Sequence, residues 1–155
     1  MSDISYSTIK NELDQNGWVL TKPVGTSMYP MLRYCKDPII VQKPSRPFKV
    51  NDVPVYVRKS DKSLVMHRII AIKNGNYIIR GDNCLCKEYG ITDDDIIGIL
   101  TGFYRGSKFI DCEKNRFYKV YIVLNRLTYP IRVVWMYFKK AGIKIKHFLK
   151  KLFGV

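Results

Sequence analysis

The chain has 155 residues, of which 46% are hydrophobic, so it is long enough to form one domain with its own core. Its net charge of +14 is unevenly distributed, because residues 1–113 carry 16 basic and all 13 acidic residues, whereas residues 114–155 carry 11 basic residues and no acidic one. The composition excludes a disordered chain, and it predicts a domain over 1–113 followed by a basic tail over 114–155 whose partner is polyanionic.

The elements predicted for residues 1–113 are mainly β-strands. A short amphipathic helix is expected first, over Tyr6–Gln15, and Gly17 should end it. The segment 25–30 contains both glycine and proline, which predicts a turn outside any regular element. Asn74-Gly75 is a strong β-hairpin signal. The predicted strands, rich in β-branched and aromatic residues, are Trp18–Leu20, Ile39–Val41, Val53–Arg58, Leu64–Lys73, Asn76–Arg80 and Ile96–Tyr104.

After Asn115 the hydrophobic pattern has the period of a helix. Pro130 and Gly142 are expected to kink or split this helix. One side of it is apolar and most of the remaining surface is basic. The apolar side consists of Val120, Leu124, Leu127, Ile131, Val134, Trp135 and Phe138.

Such a tail favours a helix lying in a membrane interface, with its apolar side down and its cations near anionic headgroups. The alternative is a helix packed on the β-domain with an exposed basic face. The side chains predicted to contact the membrane are Arg132, Lys139, Lys140, Lys144, Lys150 and Lys151.

Cysteine usage and the absence of export signals favour a cytoplasmic protein or one peripheral to the cytoplasmic face of the membrane. The four cysteines form no CxxC pair and have no histidine at zinc-finger spacing, so we expect reduced thiols and no metal or organic cofactor. The first 17 residues lack the basic and apolar regions of a signal peptide. The most apolar stretch, 120–138, contains two arginines, each of which would cost about 2.5–3.5 kcal/mol near a bilayer centre.

Three segments in order suggest a specific chemistry. They are Gly25-Thr26-Ser27-Met28-Tyr29-Pro30, Met66-His67-Arg68-Ile69-Ile70 and Gly81-Asp82-Asn83. Together they resemble the nucleophile, general-base and Gly-Asp-Asn boxes of the signal peptidase I superfamily, over roughly residues 18–104. The resemblance implies a mainly β, signal-peptidase-like domain. It also implies a serine endopeptidase that removes a leader, signal or propeptide after small residues, with Ser27 as the nucleophile and His67 as its base.

The residue at the base position indicates the branch of this superfamily. Alone, His67 in its apolar run is typical of a half-buried strand histidine. Bacterial leader peptidases and self-cleaving repressors carry lysine at the matching position, so this chain is similar to the histidine-using archaeal and endoplasmic-reticulum branch. Imidazole titrates near neutrality and can act as a base without a depressed lysine pKa. By resemblance, Asp82 is the carboxylate that orients the imidazole, and Glu88 matches a second acidic site.

The chain also departs from the family pattern. Many relatives have a serine two residues before the nucleophile, where this chain has Gly25. The resemblance assigns oxyanion and substrate contacts to Gly25, Thr26 and Met28, with the Ser27 N–H as one donor. Asn51 replaces a glycine expected before the strand at 53–58. The acidic cluster 93–95 is expected to be a solvated loop rather than a metal site.

Three functions are compared. The first is a membrane-peripheral peptidase acting on a precursor peptide. The second is an inactive relative that binds a peptide along a strand edge, which Gly25 and Asn51 would favour. The third is a nucleic-acid protein that uses the basic tail. It is disfavoured, because the 17 residues before the peptidase-like part leave no room for a helix-turn-helix.

Overall fold

The structure is a computed structural model. It describes the backbone of residues 6–153 and the side chains of residues 7–138 other than Met136. The chain divides into two compact units, Met1–Lys119 and Val120–Val155. Tyr118 is buried in the first unit, where its ring packs edge-on against Phe103.

The first unit is mainly β, with an N-terminal helix. The helix α1 (Tyr6–Asn16) precedes two antiparallel sheets. The larger sheet contains β1 (Trp18–Thr21), β2 (Ile39–Gln42), β3 (Pro54–Val57), β4 (Leu64–Met66), β8 (Ile96–Arg105) and β9 (Lys108–Asp111). The smaller sheet contains β5 (Arg68–Lys73), β6 (Asn76–Arg80) and β7 (Glu88–Ile91).

The larger sheet has the strand order β1-β2-β8-β3-β4, with β9 also pairing β8. Its longest strand, β8, is therefore central, and β1 and β4 form its edges. The smaller sheet has the order β5-β6-β7. Tyr56 of the larger sheet and Ile69, Tyr77, Ile79 and Ile91 of the smaller sheet form one buried cluster, which joins the two sheets.

Most predicted elements are present, and two local signals act as expected. Gly17 adopts φ 75° and its N–H donates to the Leu13 carbonyl at 3.1 Å, a left-handed helix end that favours glycine. Asn74 and Gly75 both have positive φ, at 49° and 74°, which is the type I′ hairpin geometry between β5 and β6. The strands β7 and β9 were not predicted.

The predicted strand Leu64–Lys73 is two strands in different sheets. β4 ends at Met66, β5 begins at Arg68, and His67 lies between them. The single apolar run concealed this break, because residues on both sides of it are β-branched or otherwise apolar and contribute to a common core. The catalytic candidate therefore lies where the chain crosses from one sheet to the other.

The acidic cluster 93–95 is a short 3-10 helix rather than a loop. Asp93 accepts a hydrogen bond from the Tyr77 hydroxyl at 2.7 Å. Asp95 accepts one from the Thr92 N–H at 2.9 Å and pairs with Lys59 at 3.0 Å. The cluster is thus held by hydrogen bonds and one ion pair.

The tail forms one helix, α2 (Arg116–Phe153), which contains Pro130. Of the kink or split expected at Pro130 and Gly142, the split does not occur, because the helix continues through both positions. Within the described part of the chain, no helix combines the length and apolarity needed to cross a bilayer.

Candidate active site

Ser27 lies in the loop between β1 and β2, and this loop is firmly anchored. The Thr26 carbonyl accepts a hydrogen bond from the Tyr29 N–H at 3.1 Å, which closes a tight turn around Ser27 and the buried Met28. Further along the loop, the fully buried carboxylate of Asp37 accepts hydrogen bonds from Arg33 at 2.7 and 3.0 Å. Ser27 is consequently half-buried in a turn whose position is fixed by hydrogen bonds.

Gly25 begins this turn with φ 96°. A methyl group added there would meet no atom within 4 Å, so the backbone conformation rather than lack of space favours glycine. Among the described residues, the Ser27 N–H donates no hydrogen bond. It is therefore free to donate to a substrate oxyanion.

His67 is 5% exposed, and its Nδ1 atom has two close neighbours. The Glu88 Oε1 atom lies 3.0 Å from Nδ1 and the Tyr56 hydroxyl lies 3.2 Å from it. An ionised carboxylate can only accept a hydrogen bond, so the contact with Glu88 places the proton on Nδ1. The second ring nitrogen, Nε2, is then unprotonated in neutral His67 and can act as a base.

Arg58 holds Glu88 in this position. Its Nε donates to Oε2 at 2.9 Å and its Nη2 to Oε1 at 3.2 Å, so the guanidinium grips both oxygens of the carboxylate. Arg58 also donates to Asp61 at 3.1 Å. Burial alone would raise the pKa of Glu88, but hydrogen bonds from Arg58 and Tyr56 lower it below its usual value. Glu88 is therefore ionised at neutral pH.

Burial also controls the titration of His67. It disfavours the imidazolium and lowers the pKa of His67, and this effect exceeds the opposing influence of the Glu88 charge, which raises it. The lowered pKa keeps His67 neutral at physiological pH, which is the form that can accept a proton.

Gly81 brings Ser27 and His67 together. A methyl group added at Gly81 would lie 2.8 Å from the Ser27 carbonyl oxygen and 3.0 Å from the Cδ2 atom of His67. The Cδ2 side of the His67 ring and the Ser27 carbonyl therefore both lie against the same glycine. The Asn83 N–H donates to the Ser27 carbonyl at 2.7 Å, and its side-chain amide donates to the Thr26 carbonyl at 3.2 Å. The Gly-Asp-Asn segment thus clamps the turn beside His67.

Asp82 has a different partner from the one that the resemblance assigned to it. Its two oxygens accept from the Nε and Nη2 atoms of Arg68 at 2.8 and 2.7 Å. Arg68 also donates to the Asn51 carbonyl at 2.9 Å and to the Tyr118 hydroxyl at 3.1 Å. The structure therefore places Asp82 in a buried structural ion pair, and it places Glu88, named as a second acid, on the imidazole.

Ser27 and His67 line the same cavity, which has a volume of about 1370 Å³. No hydrogen bond joins them among the described residues, although such contacts are often long in the absence of substrate. The cavity walls are mainly apolar and come from α1, both edge strands and the middle of the larger sheet. They include Ile9, Leu20, Val24, Met28, Ile39, Val41, Val55, Leu64 and Met66.

Tyr56 and Arg58 are site residues that the sequence analysis did not single out. They are two residues apart along β3 and its end, and alternate residues of an extended chain point to the same side. Tyr56 and Arg58, two polar residues at alternate positions in an apolar strand, could have been recognised in the sequence. Their spacing would have predicted a polar partner on a neighbouring strand.

The predicted membrane-contacting side chains are only partly described. Arg132 is half-buried and its guanidinium donates to the Asn125 carbonyl at 3.1 Å and to the Asn125 side chain. The side chains of the five predicted lysines, Lys139, Lys140, Lys144, Lys150 and Lys151, lie outside the described residues.

Within the described ranges, no group of three or more His, Cys, Asp or Glu side chains is placed to hold a metal ion. The four cysteines, Cys35, Cys84, Cys86 and Cys112, are free thiols. No protein-family model matches the chain. No curated protein sequence matches it significantly.

Proposed function

We propose that the protein is a serine endopeptidase that removes a leader, signal or propeptide from a precursor. The observation that carries this proposal is the set of contacts around His67. Its Nδ1 atom lies on the Glu88 carboxylate, its Cδ2 atom and the Ser27 carbonyl both lie against Gly81, and Ser27 and His67 line one cavity. This is the order of groups that a Ser-His-acid mechanism needs.

In the proposed reaction, Ser27 Oγ attacks the carbonyl carbon of the scissile bond while His67 Nε2 takes the hydroxyl proton. Glu88 stabilises the imidazolium that forms, and the Ser27 N–H donates to the developing oxyanion. His67 then protonates the leaving amine as the peptide bond breaks. A water molecule, activated by His67, hydrolyses the acyl-enzyme and restores Ser27.

The residues that support His67 divide into catalytic and positioning groups. Ser27 and His67 would touch the reacting atoms. Glu88 and Tyr56 act through His67, whose Nδ1 atom both contact, and Arg58 acts through Glu88, so these three are positioning residues. Asp82 has no direct role in this scheme, because both its oxygens accept hydrogen bonds from Arg68.

The cavity fits an extended peptide with apolar side chains. Its walls are mainly apolar, and its volume of about 1370 Å³ exceeds that of ordinary small-molecule pockets. β4 is an edge strand of the larger sheet and also lines this cavity. A precursor strand can add to such an edge through backbone hydrogen bonds, which would place its scissile bond near Ser27.

A peptide-binding module without activity is the second candidate. The observation that favours it is the lack of a hydrogen bond between Ser27 and His67 among the described residues, together with glycine at position 25 in place of a hydroxyl side chain. Such a protein would hold the same precursor strand along β4 without breaking a bond.

The test compares the wild-type chain with Ser27→Ala and His67→Ala on a library of precursor peptides, by mass spectrometry of the products. Ser107→Ala, in the exposed turn between β8 and β9, and His147→Ala, at the second histidine of the chain, are matched controls. We expect both site variants to lose cleavage and both controls to retain it.

Peptide binding is measured on the same five proteins by fluorescence anisotropy. If the wild type binds peptides without cleaving them, and Ser27→Ala binds them equally well, the binding module is correct. Cleavage that persists in Ser27→Ala would overturn the serine mechanism.

A further inference from the structure

One face of α2 is apolar and exposed. Six residues between positions 124 and 138 are 53–73% exposed and fall within about 100° of one another on a helical wheel. We refer to this surface as the apolar arc. It consists of Leu124, Leu127, Ile131, Val134, Trp135 and Phe138.

Three polar side chains in this part of the helix are hydrogen-bonded within it. Asn125 is buried, and Arg132 donates both to its carbonyl and to its side chain. The Thr128 hydroxyl donates back to the Leu124 carbonyl at 2.7 Å. A large exposed apolar surface on a helix indicates a binding surface.

We infer that the apolar arc docks the protein on an anionic lipid bilayer, with α2 lying in the plane of the interface. Residues 114–155 carry 11 basic residues and no acidic one, so headgroup phosphates supply the complementary charge. Trp135 and Tyr137 are exposed aromatic residues of the kind that membrane interfaces favour. This inference is independent of the proposed peptidase activity.

Two other occupants fit less well. A second copy of the chain would bring two strongly cationic helices together, and their repulsion would oppose pairing along the arc. Nucleic acid would satisfy the positive charges but would leave the six apolar side chains in water, since its phosphates contact cations. A lipid surface satisfies both the charge and the apolar arc.

The chain contains a built-in probe for this contact. It has two tryptophans, Trp18 in β1 and Trp135 in the apolar arc, so full-length Trp18→Phe reports on Trp135 alone. The protein is mixed with anionic vesicles of equal parts phosphatidylcholine and phosphatidylglycerol, and pure phosphatidylcholine vesicles are the neutral comparison. We expect a blue shift of Trp135 emission and co-sedimentation with the anionic vesicles, both weakened by salt.

Leu127→Glu tests the arc itself, and Ser107→Glu makes the same change of charge at an exposed turn. Leu127→Glu removes one leucine side chain that would be buried in the bilayer, so it should weaken vesicle binding about tenfold or more. Ser107→Glu should bind vesicles as well as the unsubstituted protein. Ile131→Ser, which leaves the charge unchanged, should weaken binding in the same direction. Circular dichroism of each variant verifies that the fold is retained.

Several results would overturn the inference. One is the absence of a Trp135 shift and of sedimentation with anionic vesicles. Another is equal binding by Leu127→Glu and Ser107→Glu, which would assign the attraction to charge alone. A Trp135 shift that grows with protein concentration without lipid, accompanied by a dimer in light scattering, would make a second copy the occupant.

Discussion

Replacing Glu88 by glutamine tests the orientation of the imidazole most directly. The substitution removes one negative charge 3.0 Å from His67 Nδ1 and keeps the size of the side chain. Arg58, which can only donate, will attract the new amide oxygen. The amide NH₂ group then faces Nδ1 as a donor and favours the His67 tautomer that carries its proton on Nε2. That tautomer cannot accept the Ser27 proton.

Glu88→Gln should change both kcat and the pH dependence of kcat/KM. The corresponding amide substitution in serine proteases lowers kcat about 10⁴-fold, so we expect a loss on the order of 10³–10⁴. The Glu88 charge raises the pKa of His67, so its removal lowers that pKa further. A charge pair near 4 Å interacts by about 4 kcal/mol at an effective dielectric of about 20. Arg58 offsets part of this, and the acid limb of kcat/KM should move to lower pH.

The assay is the pH dependence of kcat/KM for a peptide identified by library cleavage. Asp61→Asn is the matched control, because Asp61 also pairs with Arg58 but is exposed, and among the described residues it makes no hydrogen bond to His67. Thermal melts establish that the variants are folded. The reasoning is refuted if Glu88→Gln retains activity within about threefold of Asp61→Asn, or if its acid limb does not move.

Other predictions concern the groups around the site. Arg58→Ala should move the acid limb of kcat/KM to higher pH, because the Arg58 charge lowers the pKa of His67; an unmoved limb would remove Arg58 from the network. Asp82→Asn should reduce the free energy of unfolding by about 3–5 kcal/mol in urea titrations, since it leaves the Arg68 charge buried without its partner; a loss below about 1 kcal/mol would contradict the buried pair. Asn51, at φ 80°, should tolerate Gly but lose about 1–2 kcal/mol as Ala, and equal melting of the two variants would argue against backbone strain. Burial opposes ionisation of Asp37, but Arg33 lowers its pKa below 3.8, so the stability it contributes is present above about pH 4 and is lost as pH falls through the folded pKa; Asp37→Asn should flatten that acid dependence of Tm.

The larger part of the secondary structure followed from local rules. The helix at 6–16, the hairpin at 74–75 and five of the nine strands correspond closely to the predicted segments. Each depends on the propensity or φ angle of a few neighbouring residues, which the sequence displays directly. The break at His67 was missed because it requires two sheets, and sheet membership depends on partners distant in the chain.

The sequence also could not determine which carboxylate contacts the imidazole of His67. Asp82 and Glu88 are both near the general-base box in the fold, and the spacing of residues cannot decide between them. The pairing of β6 with β7 sets Glu88 opposite Ile79 and brings it to Nδ1. Arg68 meanwhile occupies both oxygens of Asp82. The register of β6 and β7 therefore makes Glu88 the partner of His67, and the Arg68 guanidinium holds Asp82 in a structural ion pair.

The sequence by itself determined the mainly β domain, the turn that carries Ser27, and the apolar and cationic character of the tail. Each of these depends on local residue composition and on the spacing of hydrophobic residues. Only the tertiary structure decided which residues meet. It placed Ser27 and His67 in one cavity and gave Glu88 rather than Asp82 the contact with Nδ1. These outcomes depend on contacts between distant segments, whose geometry follows from packing of the whole chain rather than from any one segment.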